Sequence, residues 1–469
     1  MSDRSSAAFR SISEEAAMTK AVGARETVGP KREGGGAVYR TLWRWHFYAG
    51  LICIPFVIWL AVTGSVYLFR PQIEAWFDRD VAMLERTGQP ATQQAVVDAA
   101  LATRPGSSLA GIVLPEHPDQ AARVLISGDG ARTRVYVHPD TLEILKTQDE
   151  SNTLERAIFK LHGELMMGEG GSFVVELAAS WAIVMILTGL YLWWPRNARG
   201  LGGVFYPRIG QGAKTFWRDI HAVVGMWVSV FALFLLVSGL PWAMVWGNAF
   251  KNVRAWTGTA AISQDWTISS KDEHAMHAAH DAESGAHQGQ GGVSIETIIA
   301  NARALNLASP VIVTPPTARD PVWWVKSNAQ NRPAREDVAL ATDTGAEMRR
   351  DTFGEKHIID QIVGVGIAAH EGQLFAPLNQ VLGVLTALGL ITLCVSAFVM
   401  WRRRAPEGVL GAPPPIPEAR IGWGLAALIV MCGLLLPVLG ISLLLIGVVE
   451  WGVLRRWPSA RRWLGIAPT

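Results

Sequence analysis

The sequence predicts a membrane protein: an α-helical bundle of about six transmembrane helices, built by internal parallel duplication, with two small α+β modules outside the bundle. Three observations predict it. Half of the 469 residues are apolar and only 17% are charged. Several apolar runs reach the roughly 20 residues a helix needs to cross a hydrocarbon core. Histidines also recur at matching intervals in the two halves of the chain. The 20 tryptophans suit a membrane protein, since Trp gathers at the two interfaces. A net charge of +2 argues against nucleic acid as a partner.

Taken in order, residues 1–40 are rich in Ser, Ala, Glu, Gly and Arg without an apolar core, which predicts a disordered cytoplasmic tail rather than a signal peptide. Residues 42–69 form the first span, followed by an external module over 71–160. The second span covers 173–194, a cytoplasmic loop 195–216, and the third span 217–246. A second external module fills 250–369, the fourth span 374–401 and another cytoplasmic loop 402–420. The apolar run 421–454 is too long for one crossing; with Pro437 and Gly440 in its middle it reads as a two-helix hairpin, the alternative being one re-entrant helix. Residues 455–469 form a cytoplasmic tail.

Lys and Arg cluster before the first span, between the second and third, after the fourth ("WRRRAPEG") and at the C-terminus. With six crossings all of these fall on one side, which places both termini in the cytoplasm. The two long connections on the other side each carry a helical stretch and a hairpin pattern, "ARVLISGDGARTRVYVHPDT" and "VWWVKSNAQNRPAREDVALATDTG". Cys53, Cys394 and Cys432 all sit in apolar runs and read as small apolar residues.

The halves repeat. His46, Gly50 and Thr63-Gly64 in the first span match His221, Gly225 and Ser238-Gly239 in the third. His162, Thr188 and Trp193 match His370, Ser396 and Trp401. A pseudo-twofold axis along the membrane normal puts equivalent residues opposite each other. His46 then pairs with His221 near the cytoplasmic face, and His162 with His370 near the external face.

Neutral imidazole is the commonest metal ligand, and a pair facing across a bundle core suits bis-axial haem ligation. Gly50 and Gly225, one turn from the inner histidines, leave room for a flat macrocycle. Without a Cys-x-x-Cys-His motif the cofactors are two haems of the b type. Zinc is the rival metal, held at the outer pair with help from Glu164 and Glu371. Met166 lies one turn from His162 on the same helix face, which excludes it from the opposite side of the same iron. The plainer reading of all four histidines is polar contact between helices. No G-x-G-x-x-G follows a strand and the cytoplasmic loops are short, so no flavin or NAD domain is expected in this chain. Electrons then come from membrane quinol or a separate cytoplasmic reductase.

The stretches "RWHFYAG", "KLHGEL", "RDIHAVVG" and "AAHEG", with the two hairpins, resemble the PepSY-associated transmembrane helix family, iron-regulated inner-membrane proteins that include dihaem ferrisiderophore reductases. The resemblance covers about residues 40–404. It implies PepSY-like periplasmic modules and haem-dependent reduction of a ferric siderophore on the periplasmic side of a bacterial inner membrane. By it His46 and His221 ligate the cytoplasmic-side haem, and His162 and His370 the periplasmic-side one. One electron releases the metal, because siderophore oxygens hold ferric iron far better than ferrous iron.

One departure is the insert "HAMHAAHDAESGAH", where His274, His277, His280 and His287 form an accessory metal site or a flexible polar loop. Glu176 is a candidate for proton or quinol chemistry, against pairing with a neighbouring helix. Trp43, Trp45, Trp193, Trp194, Trp217 and Trp401 read as belt anchors, while Trp323 and Trp324 divide between module core and ligand surface. Two other functions compete: a haem-free siderophore or metal permease, and a scaffold or sensor whose modules bind a peptide or protein.

Overall fold

The structure, a computed structural model, describes residues 33–196, 200–259, 292–414 and 422–466. The histidine-rich insert lies outside these described residues. Five helices are long and apolar enough to cross a membrane: Val38–Leu68, Glu169–Trp193, Ala213–Trp242, Leu378–Arg404 and Pro437–Arg456. The chain is a multi-pass membrane protein.

The full helix α1 spans Glu33–Leu68, so helix begins inside the stretch read as tail. Short helices α2 (Arg70–Phe77) and α3 (Arg79–Ala82) follow. Then come α4 (Gln93–Ala102), strands β1 (Ser108–Val113), β2 (Ala122–Gly128), β3 (Ala131–Val137) and β4 (Ile144–Asp149), and α5 (Leu154–Glu164). Helices α6 (Glu169–Trp193) and α7 (Ala213–Gly239) are the next spans. α7 stops short of 246 because Pro241 cannot continue it. A separate helix α8 (Met244–Trp256) starts just beyond.

The second external segment repeats the first: α9 (Ile295–Ala304), β5 (Val311–Thr314), β6 (Trp323–Ser327), β7 (Glu336–Leu340), β8 (Glu347–Thr352) and α10 (Ile358–His370). α11 (Leu378–Arg404) is the fourth span. The terminal apolar run is two helices, α12 (Trp423–Leu435) and α13 (Pro437–Gly452), divided where Pro437 starts the second. At 13 residues α12 covers only about 20 Å at 1.5 Å per residue, yet its end reaches the sheet end, where Leu435 accepts from Trp246 Nε1, while Pro413 before it and Gly465 beyond α13 both accept from Arg44 at the opposite end. A small helix α14 (Pro458–Leu464) follows.

The two external segments are not separate modules. Their strands form one antiparallel eight-stranded sheet, ordered β4-β3-β2-β1-β5-β6-β7-β8. The seam is β1 against β5, with Ile112 opposite Val313 and Val113 opposite Ile312. In the β2–β3 hairpin Asp129 and Gly130 both take positive φ, the conformation a two-residue turn needs to match strand twist. α4 and α9 cover one face; Val96, Val97, Ile298 and Ile299 pack there on Val124, Val135, Val313 and Val338. Matching caps start these helices, with Thr92 accepting from the Ala95 amide and Ser294 from that of Thr297. Trp323 packs against this core, whereas Trp324 lies on the other face beside Lys326 and donates to Asp320 at 2.6 Å.

In the bundle, α1 packs against α6 and α11, and α7 packs against the same two helices. α1 and α7 therefore face each other across the centre. The bundle has a sheet end and, opposite it, a basic end where α11 finishes in Arg402, Arg403 and Arg404.

Candidate functional site

A single cavity of about 1900 Å³ runs through the bundle, lined by His46, His162, His221 and His370. A pocket for one drug-sized ligand measures about 300–1,000 Å³, so this volume suits two large groups. Gly50 and Gly225 also line it.

Each histidine is held by a hydroxyl on a neighbouring helix. Nδ1 lies 3.0 Å from Thr188 Oγ1 for His46 and 3.1 Å from Ser396 Oγ for His221. For His162 and His370 the partners are Thr63 Oγ1 and Ser238 Oγ, both at 2.9 Å. These hydroxyls already donate to carbonyls of their own helices, Thr63 to Trp59, Thr188 to Val184, Ser238 to Phe234 and Ser396 to Leu393. They are left to accept, so Nδ1–H is the donor. The lone pair then sits on Nε2, which is left as the nitrogen able to ligate a metal. His221 Nδ1 also reaches the Leu393 carbonyl at 3.2 Å, which can only accept.

His46 and His221 lie with ring centres 6.4 Å apart and planes at 84°. An imidazole–metal–imidazole unit with bonds of about 2 Å sets ring centres roughly 6 to 6.5 Å apart, so this pair fits a shared axial metal. His162 and His370 lie near each other at the sheet end. Burial pushes His162 down to about 4, and burial with His162 alongside does the same to His370, so both stay neutral at neutral pH. Residues 46 and 63 of α1 mark the two levels, about 25 Å apart along the axis at 1.5 Å per residue.

Glycines close the fit around the rings. A Cβ at Gly64 would stand 3.1 Å from His162 Cε1, at Gly189 3.2 Å from His46 Cε1, and at Gly239 3.4 Å from His370 Cε1. Neither these glycines nor the four hydroxyls received a role from sequence; the matching intervals from His46 to Thr63 and His221 to Ser238, and from His162 to Thr188 and His370 to Ser396, were the available signal.

The sheet end is tied together by Arg70, just past α1. It donates to Tyr67 Oη at 2.6 Å, pairs with Glu155 at 2.8 Å, bonds Gln330, and lies 3.9 Å from Glu371, the neighbour of His370. Burial and a hydrogen bond with Glu155 push Glu74 up to about 8. Against its own burial, Glu155 is held low by Glu74 and Arg70. Gln373 and Gln380 donate to the Leu68 carbonyl at 3.2 and 2.8 Å, capping α1.

Glu176 is buried, and its carboxylate accepts from the Val245 and Trp246 amides at 2.7 and 2.9 Å. It caps the start of α8, the helix-pairing role among the two weighed for it. Met166 is not on the helix of His162: α5 ends at Glu164, Leu165 and Met166 turn left-handed, and the Met166 side chain is 59% exposed. Among the described residues no group of three or more His, Cys, Asp or Glu is placed to hold a metal ion, which leaves Glu164 and Glu371 outside any such cluster. At the basic end Trp193 and Trp401 donate to the Val204 and Leu410 carbonyls.

A helical membrane bundle with histidines facing a central cavity, joined to an external antiparallel sheet, defines the class. Within it, the chain belongs to the family of PepSY-associated TM regions, whose family model matches residues 43–404. No curated protein matches the chain.

Proposed function

We propose that this chain is a duplicated, transmembrane electron-transfer oxidoreductase of a bacterial inner membrane, with its termini and basic end cytoplasmic and its sheet periplasmic. Two b-type haems held in the bundle would supply the one-electron chemistry by which quinol or a separate cytoplasmic reductase could reduce a ferric siderophore, and a ferric chelate that gains one electron releases ferrous iron. The observation that carries this reading is the repeated pairing of a histidine with a helix hydroxyl at two levels of one cavity.

His46 and His221 would hold one haem and His162 and His370 the other, each offering Nε2. Bound haem supplies reversible one-electron chemistry at iron. The protein's part is to fix the imidazoles through their Nδ1–H bonds, which sets ring orientation and ligand basicity. Apolar side chains such as Val57 and Leu60 line the wall between the two levels. Arg70 joins the sheet to both helices that bear the outer histidines, so the module surface where a chelate would bind is mechanically continuous with the outer pair.

A dithionite-reduced minus oxidised absorption spectrum of the purified protein, with haem quantified per chain, tests this reading. Two b-type haems of bis-histidine character are expected, falling to one in His46→Ala or His162→Ala. Reduction of a ferric chelate, followed with a ferrous-iron trap, is then expected from the two-haem protein. A chain without haem after expression with ample haem supply would overturn the reading and leave a permease or scaffold role.

A further inference from the structure

The cavity is electrically lopsided. The carboxylates among its described lining residues, Glu164, Glu169, Glu176 and Glu371, belong to its sheet-end half together with a single lining cation, Lys251 of α8, whereas Lys214, Arg218, Arg403 and Arg404 line the basic end. Arg218 is committed to Asp219 at 2.8 Å, and Arg208 grips the same carboxylate at 2.7 Å. Lys214, Arg403 and Arg404 have no carboxylate partner among the described residues. Arg404 is nevertheless positioned, its guanidinium lying over the rings of Trp43 and Phe47 at 5.4 and 5.2 Å, on either side of His46 along α1. Lys214 precedes His221 on α7, and Arg404 follows Ser396 on α11. Both lie about 10 to 12 Å along the helix axes from the level of the His46–His221 pair, at 1.5 Å per residue.

A b-type haem carries two carboxylates, and a carboxylate left at mid-depth in a membrane is costly. Within this cavity Lys214, Arg403 and Arg404, without a carboxylate partner among the described residues, are suitable partners; arginine forks match carboxylates in shape as well as charge. We propose that Lys214, Arg403 and Arg404 form an anion site for the carboxylates of the group held by His46 and His221, turning those carboxylates toward the basic end. This rests on the two-haem reading. The same cations could instead serve acidic lipid headgroups.

The test is reconstitution of haem-depleted protein with haem and with haem dimethyl ester, whose carboxylates are blocked, read by absorbance. In a His162→Ala background, which keeps the His46–His221 site, haem is expected to bind about tenfold or more tightly than the ester, the value of charge-assisted carboxylate bonds. Adding Lys214→Gln, Arg403→Gln and Arg404→Gln should erase the difference, and Arg403→Lys with Arg404→Lys should restore most of it. Equal preference for haem over ester with and without the three cations would overturn the proposal. So would a triple variant that keeps the preference and loses only co-purified acidic phospholipid. Protein that binds neither ligand would overturn the two-haem reading itself.

Discussion

At the scale of single residues, hydroxyls decide which nitrogen each histidine offers. Thr63 spends its proton on Trp59 and accepts from His162, so Thr63→Val leaves a buried Nδ1–H without its partner. Loss of such a supporting contact typically costs about 10- to 100-fold in affinity at a metal site. On the two-haem proposal, haem per chain should fall toward one, and Thr63→Ser should retain two. Gly64→Ala should do similar damage by shape, because its Cβ would lie 3.1 Å from His162 Cε1; Gly239→Ala, at 3.4 Å from His370, should be milder. Haem content and reduced spectra of the two variants check the order. His46 and His221 were legible in the sequence because ionisable residues stand out in apolar runs, and His162 and His370 because they recur at matching intervals in the two halves. The hydroxyls were visible only as a repeated interval, since bonds between helices depend on packing that no single helix encodes.

At the scale of elements, two carboxylates carry the sharpest expectations. Glu176→Ala removes the acceptor for two amides at the start of α8, and loss of a cap costs about 0.5–2 kcal/mol. Thermal unfolding should register that loss without a change in haem content. Glu74 sits above its ordinary 4.5, at about 8, so the folded protein holds its proton more tightly than the unfolded chain. Its contribution is complete below about 4.5 and is lost as pH rises toward 8. Glu74→Gln should flatten that fall in a pH series of unfolding midpoints. Helix identities were readable from apolar length, but ends were not uniformly so. Pro241 stops α7 early, a rule the sequence does display. α5 ends on a left-handed leucine, Leu165, which no residue preference announces.

At the scale of the molecule, the β1–β5 seam joins the two external segments. Gly111 sits beside a bulge in β1, where a Cβ would meet Ile312 Cγ2 and the Val313 carbonyl oxygen, both at 3.3 Å. Gly111→Val should overpack the seam, at a cost of about 1–3 kcal/mol, and expose the sheet to protease. The His46–His221 pair at the basic end should be unaffected. Each hairpin was legible from its alternation and turn residues. The seam was not, because pairing across some 200 residues leaves no local pattern. The same seam governs how the chain is born. A ribosome adding about 5–20 residues per second delivers β5 some 10 to 40 seconds after β1. Until then the nascent first half presents a bare strand edge, open to the β5 of another copy. Crowded synthesis therefore favours swapped pairs, and a chaperone that shields this edge would raise the yield of properly closed single chains.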